Sequence, residues 1–324
     1  MRTLSDTPQP LTADQSVQLM TLREKYQQHI SSLITDLMKP VFFDLSKVYP
    51  DTNEIPELIN QLDLLKKCLD SFRPLNTAQL RNLQDAWDTE YTYESNRIEG
   101  SSLTLQETSL VINEGITIGG KSMREHLEAI NHKEAINYIR ELSDHDTALN
   151  EYMVNAIHAL VLQGIDRDNA GKYRSVPVTI LGAKHVPPQP FMVPKLMEEY
   201  FIFFEAEKNT LHPVLLAAEL HERLVTIHPW IDGNGRTSRL VMNLTLLRHG
   251  FPLANISGEM NERQAYYSAL ENAQVENDPS DFHRLIAKSV KKSLFSYLQM
   301  ISNNIGADAE GKGFYFYEQI KNYI

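Results

Sequence analysis

One run of the sequence, His228-Pro229-Trp230-Ile231-Asp232-Gly233-Asn234-Gly235-Arg236-Thr237-Ser238-Arg239, gathers a base, an acid, paired glycines and two arginines between two strongly helical patterns. Gly233 and Gly235 remove Cβ atoms where a loop turns into a helix, so backbone N–H groups can close on an anion while the helix dipole adds to the attraction. Arg236 and Arg239, three apart at the start of that helix, share a face and suit neighbouring phosphates of a polyphosphate chain. Asp232 is a hard oxygen ligand for a phosphate-bound Mg²⁺. His228, just past the preceding helix, titrates near neutral pH and can take a proton from an attacking hydroxyl. Singly, each residue has a bland explanation: a turn, solvated arginines, a satisfied histidine. Their crowding into one stretch argues for phosphate chemistry.

The elements that must position this run are helical. Ile55, Leu58, Ile59, Leu62, Leu65 and Leu69 fall at steps of three and four, with Cys68 beside them as core. Similar patterns cover about 13–38, 77–98, 147–163, 193–209, 213–227, 234–249, 262–275 and 280–303. Thr104 with Glu107 and Ser122 with Glu125 read as capping boxes, Gly115, Gly164 and Gly250 as stops, and Pro213 as a first-turn residue. Between Lys172 and Pro190, Val176, Val178 and Ile180 alternate ahead of Gly182, which predicts one exposed β-hairpin at about 174–186. The fold class expected is therefore all-α with that single hairpin. Gly115, Gly119 and Gly120 place a soft boundary near 116–121, and the first 12 residues read as a frayed arm.

The run at 228–239 closely resembles the signature of the Fic (filamentation induced by cAMP) family, with Trp230 where phenylalanine is commoner. The resemblance extends over about 85–290. It implies a Fic-like helical core at 119–304, an N-terminal helical region at 1–118 and a C-terminal tail at 305–324. It further implies a protein adenylyltransferase that moves AMP from ATP onto a Ser, Thr or Tyr hydroxyl of a target protein. His228 would be the general base, Asp232 the Mg²⁺ ligand, Gly233, Asn234 and Gly235 the α-phosphate cradle, and Arg236 and Arg239 the clamps on the β- and γ-phosphates. Ser95-Asn96-Arg97-Ile98-Glu99-Gly100 is similar to the family's inhibitory motif, in the class that carries it ahead of the core in the same chain. Glu99 would then pair with Arg239 and block the γ-phosphate. The hairpin is similar to the family's target-binding flap, which would place Thr179, Ile180, His185 and Val186 against a target segment. Tyr266, Tyr267 and Gln274 resemble the lining of the nucleotide-base pocket. Two other functions stay open on the same residues: removal of AMP from a modified protein, with Glu99 orienting water, and a silent Fic-fold adaptor.

Composition bounds the rest. The chain has 324 residues, one cysteine and a formal charge of −11, which argues against a surface that neutralises a nucleic-acid backbone. Mean hydropathy is −0.34, and no apolar window is long enough for a membrane span. The opening MRTLSDTPQP shows no charged segment leading into an apolar core, so the expected location is the cytoplasm. The partners expected are ATP, a target protein and the chain itself through auto-modification, with a homodimer left open. Two decoys fail: Gly306 to Gly311-Lys312 is followed by Gly313 where a P-loop needs Ser or Thr, and His221-Glu222 lacks a histidine one turn on. His126, His132 and His158 are assigned to structure or surface.

Overall fold

A computed structural model describes residues 47–48, 50–70, 77–145 and 147–304 together with parts of 17–26. The aromatic stretch Phe314 to Tyr317, the tail at 305–324 and the first 12 residues lie outside the described residues. Ten helices carry names here: α1 (Ile55–Asp70), α2 (Thr77–Ile98), α3 (Leu105–Glu114), α4 (Met123–Ser143), α5 (Glu151–Val161), α6 (Val193–Glu207), α7 (Pro213–Ile227), α8 (Asn234–Arg248), α9 (Met260–Val275) and α10 (Ser280–Asn304). Both capping boxes form. Thr104 and Ser122 each accept from the N3 backbone while Glu107 and Glu125 reach back to the cap N–H, and Gly115 ends α3 at φ 65°. Such reciprocal caps satisfy donors that a helix start leaves unpaired.

Helices α7 and α8 run through the middle of the molecule, joined by the 228–233 loop. One face of α7, through Val214, Ala217, Ala218 and Val225, meets α1, α9 and α10 in one apolar cluster. Its other face, through Leu216, Leu220 and Leu224, meets α4, α5 and α6 in a second cluster. Helix α8 is buried on nearly all sides, Arg236 to Leu246 without a gap. A helix that deep must satisfy its polar groups internally. Ser238 Oγ donates to Asn234 C=O, Thr245 Oγ1 to Val241 C=O, and Asn243 exchanges bonds with the Ala254 backbone. Helix α10 lays Phe282, Ile286, Val290, Leu294 and Leu298 against α1 at four-residue steps, and Cys68 sits in that contact at 1% exposure.

The expected hairpin does not form, and among the described residues there is no strand. Residues 174–186 make an extended excursion that turns at Leu181-Gly182, where Ala183 N–H donates to Ile180 C=O at 3.2 Å. Pro177, Pro187 and Pro188 supply no N–H, so two facing chains cannot build a ladder here. Of the alternating residues, Val176 stands exposed and Val178 and Ile180 are only half-buried, while Leu181 and Val186 beyond them are exposed, so no facing apolar surface rewards a strand. No described helix is long and apolar enough to cross a membrane.

Candidate active site at the α7–α8 junction

The loop between the central helices is braced from below by residues far away in sequence. His228 caps α7 in the left-handed region, φ 50° and ψ 59°, an unusual conformation for a side chain with a Cβ. Arg174, 3% exposed, holds it there. Its backbone N–H donates to Pro229 C=O at 2.9 Å, Nε to His228 C=O at 2.8 Å, Nη1 to Val176 C=O at 3.3 Å and Nη2 to Pro188 C=O at 2.5 Å. One guanidinium thus pins both ends of the 174–188 excursion to the histidine's backbone. Trp230 is fully buried and stacks on His158, 4.2 Å between centroids and 7° between planes. His158 Nδ1 accepts from Gly171 N–H at 2.9 Å, so Nε2 carries the proton and donates to Asp232 C=O, also at 2.9 Å. Asn234 spends its side chain on the loop itself, accepting from Trp230 N–H at 3.0 Å and donating to Trp230 C=O at 2.9 Å. That leaves only its backbone available to an anion. Gly233, at φ 77°, would crowd Val161 and His158 if it carried a Cβ.

Above this brace lies a group of charges. Asp232 Oδ1 accepts from Gly233 N–H at 2.6 Å and from Arg236 Nη2 at 3.4 Å, while Oδ2 is bound by Arg124 Nη2 from the first turn of α4. Burial favours a neutral Asp232, yet Arg236, the Gly233 N–H and Arg124 outweigh it and hold the carboxyl below its usual range. Glu128, one turn after Arg124, binds Arg124 Nε at 3.0 Å and lies 3.1 Å from Arg236 Nη1. The four side chains close a ring of alternating charge.

Arg239, 1% exposed, is bound through Nε to Ser95 Oγ at 2.9 Å and through Nη2 to Ser95 C=O at 2.9 Å and Glu99 Oε1 at 2.7 Å. Its Nη1 and the Nε of Arg236 are buried without a hydrogen-bond partner. Glu99 lies across Gly235, where a Cβ would collide with its Oε1. The carboxylate thus occupies the space that the missing Cβ opens. Burial pushes the Glu99 carboxyl upward, but Arg239 and Arg236 prevail and keep it ionised. The end of α2 that carries Glu99 is clasped at three points. Tyr267 Oη donates to Ile98 C=O at 3.0 Å, Arg97 pairs with Glu259 at 2.5 Å, and Gly258 N–H donates to Glu94 at 2.6 Å. Gly258 permits this approach, since a Cβ there would lie 2.9 Å from Arg97 Cβ.

His228 Nδ1 lies 3.3 Å from Val225 C=O, a partner that can only accept, so the proton sits on Nδ1 and the Nε2 lone pair is left open. Burial lowers the imidazole to about 4, against a smaller upward pull from the Val225 carbonyl, and leaves it neutral at physiological pH. Of the expected flap residues, Thr179 and Val186 are exposed, Ile180 is half-buried, and His185 Nε2 donates to Thr226 C=O at 2.9 Å, two residues before His228. Lys184 ties the excursion to α9 through Glu271 at 2.7 Å. Tyr266 is core, hydrogen-bonded to His221 at 3.1 Å, whereas Tyr267 keeps 44% exposure. Gln274 lines a cleft of about 390 Å³ with Tyr200, Glu222 and Thr226. Four braces went unseen as such in the sequence: Arg124, Glu128, His158 and Arg174. Arg174 closes the run Gly171-Lys172-Tyr173-Arg174 at the start of the excursion.

An ionised carboxylate beside unpaired guanidinium donors fits a hard cation that keeps its waters and takes its other ligands from phosphates. Among the described residues no cluster of three His, Cys, Asp or Glu would cage a metal unaided.

Comparison with known proteins agrees with this geometry. The chain is 36% identical over 243 residues to protein adenylyltransferase Fic of Drosophila grimshawi, covering 75% of this chain and 49% of that protein. It therefore spans about half the length of the curated relatives it matches. A crystal structure of a Fic domain containing signaling protein from Bacteroides thetaiotaomicron superimposes with a TM-score of 0.68 at 28% identity, covering 76% of this chain and 97% of that one. Fic-1 residues 134–508 from C. elegans give 0.67 at 27% identity, covering 87% and 77%. The Fic/DOC family pattern itself matches residues 148–246, a span that contains the histidine, the glycine pair and both arginines, so the chain carries a Fic/DOC family domain.

Proposed function

We propose that the protein is an adenylyltransferase that moves AMP from ATP to a Ser, Thr or Tyr hydroxyl of a target protein and is held off by Glu99. The observation that carries this reading is the open Nε2 of a neutral His228 next to a cradle whose buried donors, Arg236 Nε and Arg239 Nη1, lack partners. In the reaction His228 Nε2 takes the proton as the hydroxyl oxygen attacks the α-phosphorus, and the bond to pyrophosphate breaks. The α-phosphate rests on the backbone of Gly233 to Gly235, and Arg236 and Arg239 bind the phosphates beyond it. Catalysis then rests on positioning and charge stabilisation. Mg²⁺, held through Asp232, would offset the charge of the phosphates when bound. Thr179, Ile180, His185 and Val186 border the approach of the target, and Tyr267 and Gln274 serve the base, with Tyr266 behind them.

Support for the brake comes from Glu99, whose carboxylate lies over Gly235 and bonds to Arg239. The similarity to proteins named adenylyltransferase supports the direction of transfer. The test is His228→Ala in a Glu99→Gly background, with labelled ATP and a cell lysate as probe. Labelling should fall by about 10² to 10⁴ while ATP binding persists. Labelling that survives at the parent level would refute the role of His228. A chain with Glu99 intact that strips AMP from modified protein, while the Glu99→Gly chain labels nothing, would establish the reverse reaction.

A further inference from the structure

The acidic residue of the loop is already bound to a cation, and that cation comes from outside the matched domain. Asp232 has three partners. Gly233 and Arg236 belong to its own loop and helix and take Oδ1, and Arg236 is nearly enclosed at 4% side-chain exposure. Arg124 alone takes Oδ2, and its side chain is 56% exposed. The third partner is thus the one free to leave. Its position runs against the helix dipole, since Arg124 lies in the first turn of α4, where a positive charge is disfavoured. Glu128, one turn on, offsets part of that penalty and gives the guanidinium a second anchor at 3.0 Å.

We infer that Arg124 is a resident competitor for the divalent cation at Asp232, a reading that rests on the metal role proposed for that carboxylate. A cation taking Oδ2 repels the guanidinium bound to the same oxygen, because both are positive and crowd one carboxylate. Metal entry therefore releases Arg124, which stays tethered to Glu128. Beside this pair, Arg236 keeps its Nε without a partner and open for phosphate. With metal and nucleotide, the freed guanidinium stands at the rim of the same polyphosphate site. Arg124 is in this sense a positioning residue that sets the metal concentration the site requires.

The experiment titrates Mn²⁺ alone into the full chain and reads bound metal by water-proton relaxation, with no turnover involved. Arg124→Gln should bind Mn²⁺ about fivefold more tightly than the parent, the upper range for release of a partly exposed ion pair. Arg124→Lys, which keeps the charge, should stay within about twofold of the parent, and Asp232→Asn should lose the site. Equal affinity in the parent and Arg124→Gln, with binding still lost in Asp232→Asn, would leave the metal assignment standing and overturn the competition. Weaker binding in Arg124→Gln would also overturn it, by making Arg124 a support for Asp232. If Asp232→Asn binds as the parent does, the metal role and the inference fall together.

Discussion

Replacing Glu99 by glycine tests the brake and its physical basis at once. The carboxylate lies 2.7 Å from Arg239 Nη2, which puts the charge centres near 4 Å. Two unit charges at that separation interact by about 1 kcal/mol in water and about 4 kcal/mol at an effective dielectric of 20. Glu99 keeps 35% side-chain exposure, so water screens the pair from one side and the figure belongs between those limits. Taking about 2 kcal/mol as the advantage lost to an incoming polyphosphate, Glu99→Gly should tighten ATP binding by about 30-fold. Viewed as a bare helix-end glutamate, Glu99 should be dispensable to stability, at roughly 0.5 kcal/mol. Its pairing with an arginine only 1% exposed changes that expectation. An orphaned buried charge costs about 1–3 kcal/mol or more, which corresponds to a fall in Tm of about 5 °C. Added ATP should recover it by mass action. Calorimetric titration of ATP into the parent, Glu99→Gly, Arg239→Ala and the double variant reads the coupling directly. If Glu99→Gly loses stability yet binds ATP no better, the carboxylate is a structural counter-ion and no brake. If the gain survives in the double variant, it does not pass through Arg239.

Two further outcomes follow from the braces around the base. Arg174→Lys keeps the charge but not the fork that reaches three carbonyls, so kcat should fall at least about tenfold with KM for ATP nearly unchanged; an unchanged kcat would remove Arg174 from the positioning of His228. Because burial depresses His228 to about 4, its neutral, working form should persist on acidification, giving a flat kcat profile from roughly pH 8 to 5.5. An acid limb centred near 6.5 would contradict this environment. The same depression means that the unfolded chain binds the proton first. The contribution of His228 to stability is complete above about 6.5 and is lost as the pH falls toward 4, so rates should be taken where the near-UV signal is intact.

Local chemistry was legible in the residues themselves. Capping boxes, Pro213 and Gly250 announce helix ends because the interactions involved span only a few positions, and α2 and α7 begin and end where the periodicity predicts. The run at 228–239 stands out for a similar reason, since its acid and its glycines sit within one turn of backbone, although Arg236 and Arg239 find distant partners in Glu128, Ser95 and Glu99. The apolar alternation at Val176, Val178 and Ile180 misled, because alternation rewards a strand only where a partner offers N–H groups and an apolar face. Tyr266 and Tyr267 look equivalent in sequence, and only the rotation of α9 sends one into the core and the other toward Ile98. Arg124, Glu128, His158 and Arg174 lie 54 or more residues from the loop atoms they support. No spacing rule connects them to it. Their charges and ring nitrogens acquire meaning only when packing removes water and leaves Asp232, Arg236, Trp230 and His228 as the partners within reach.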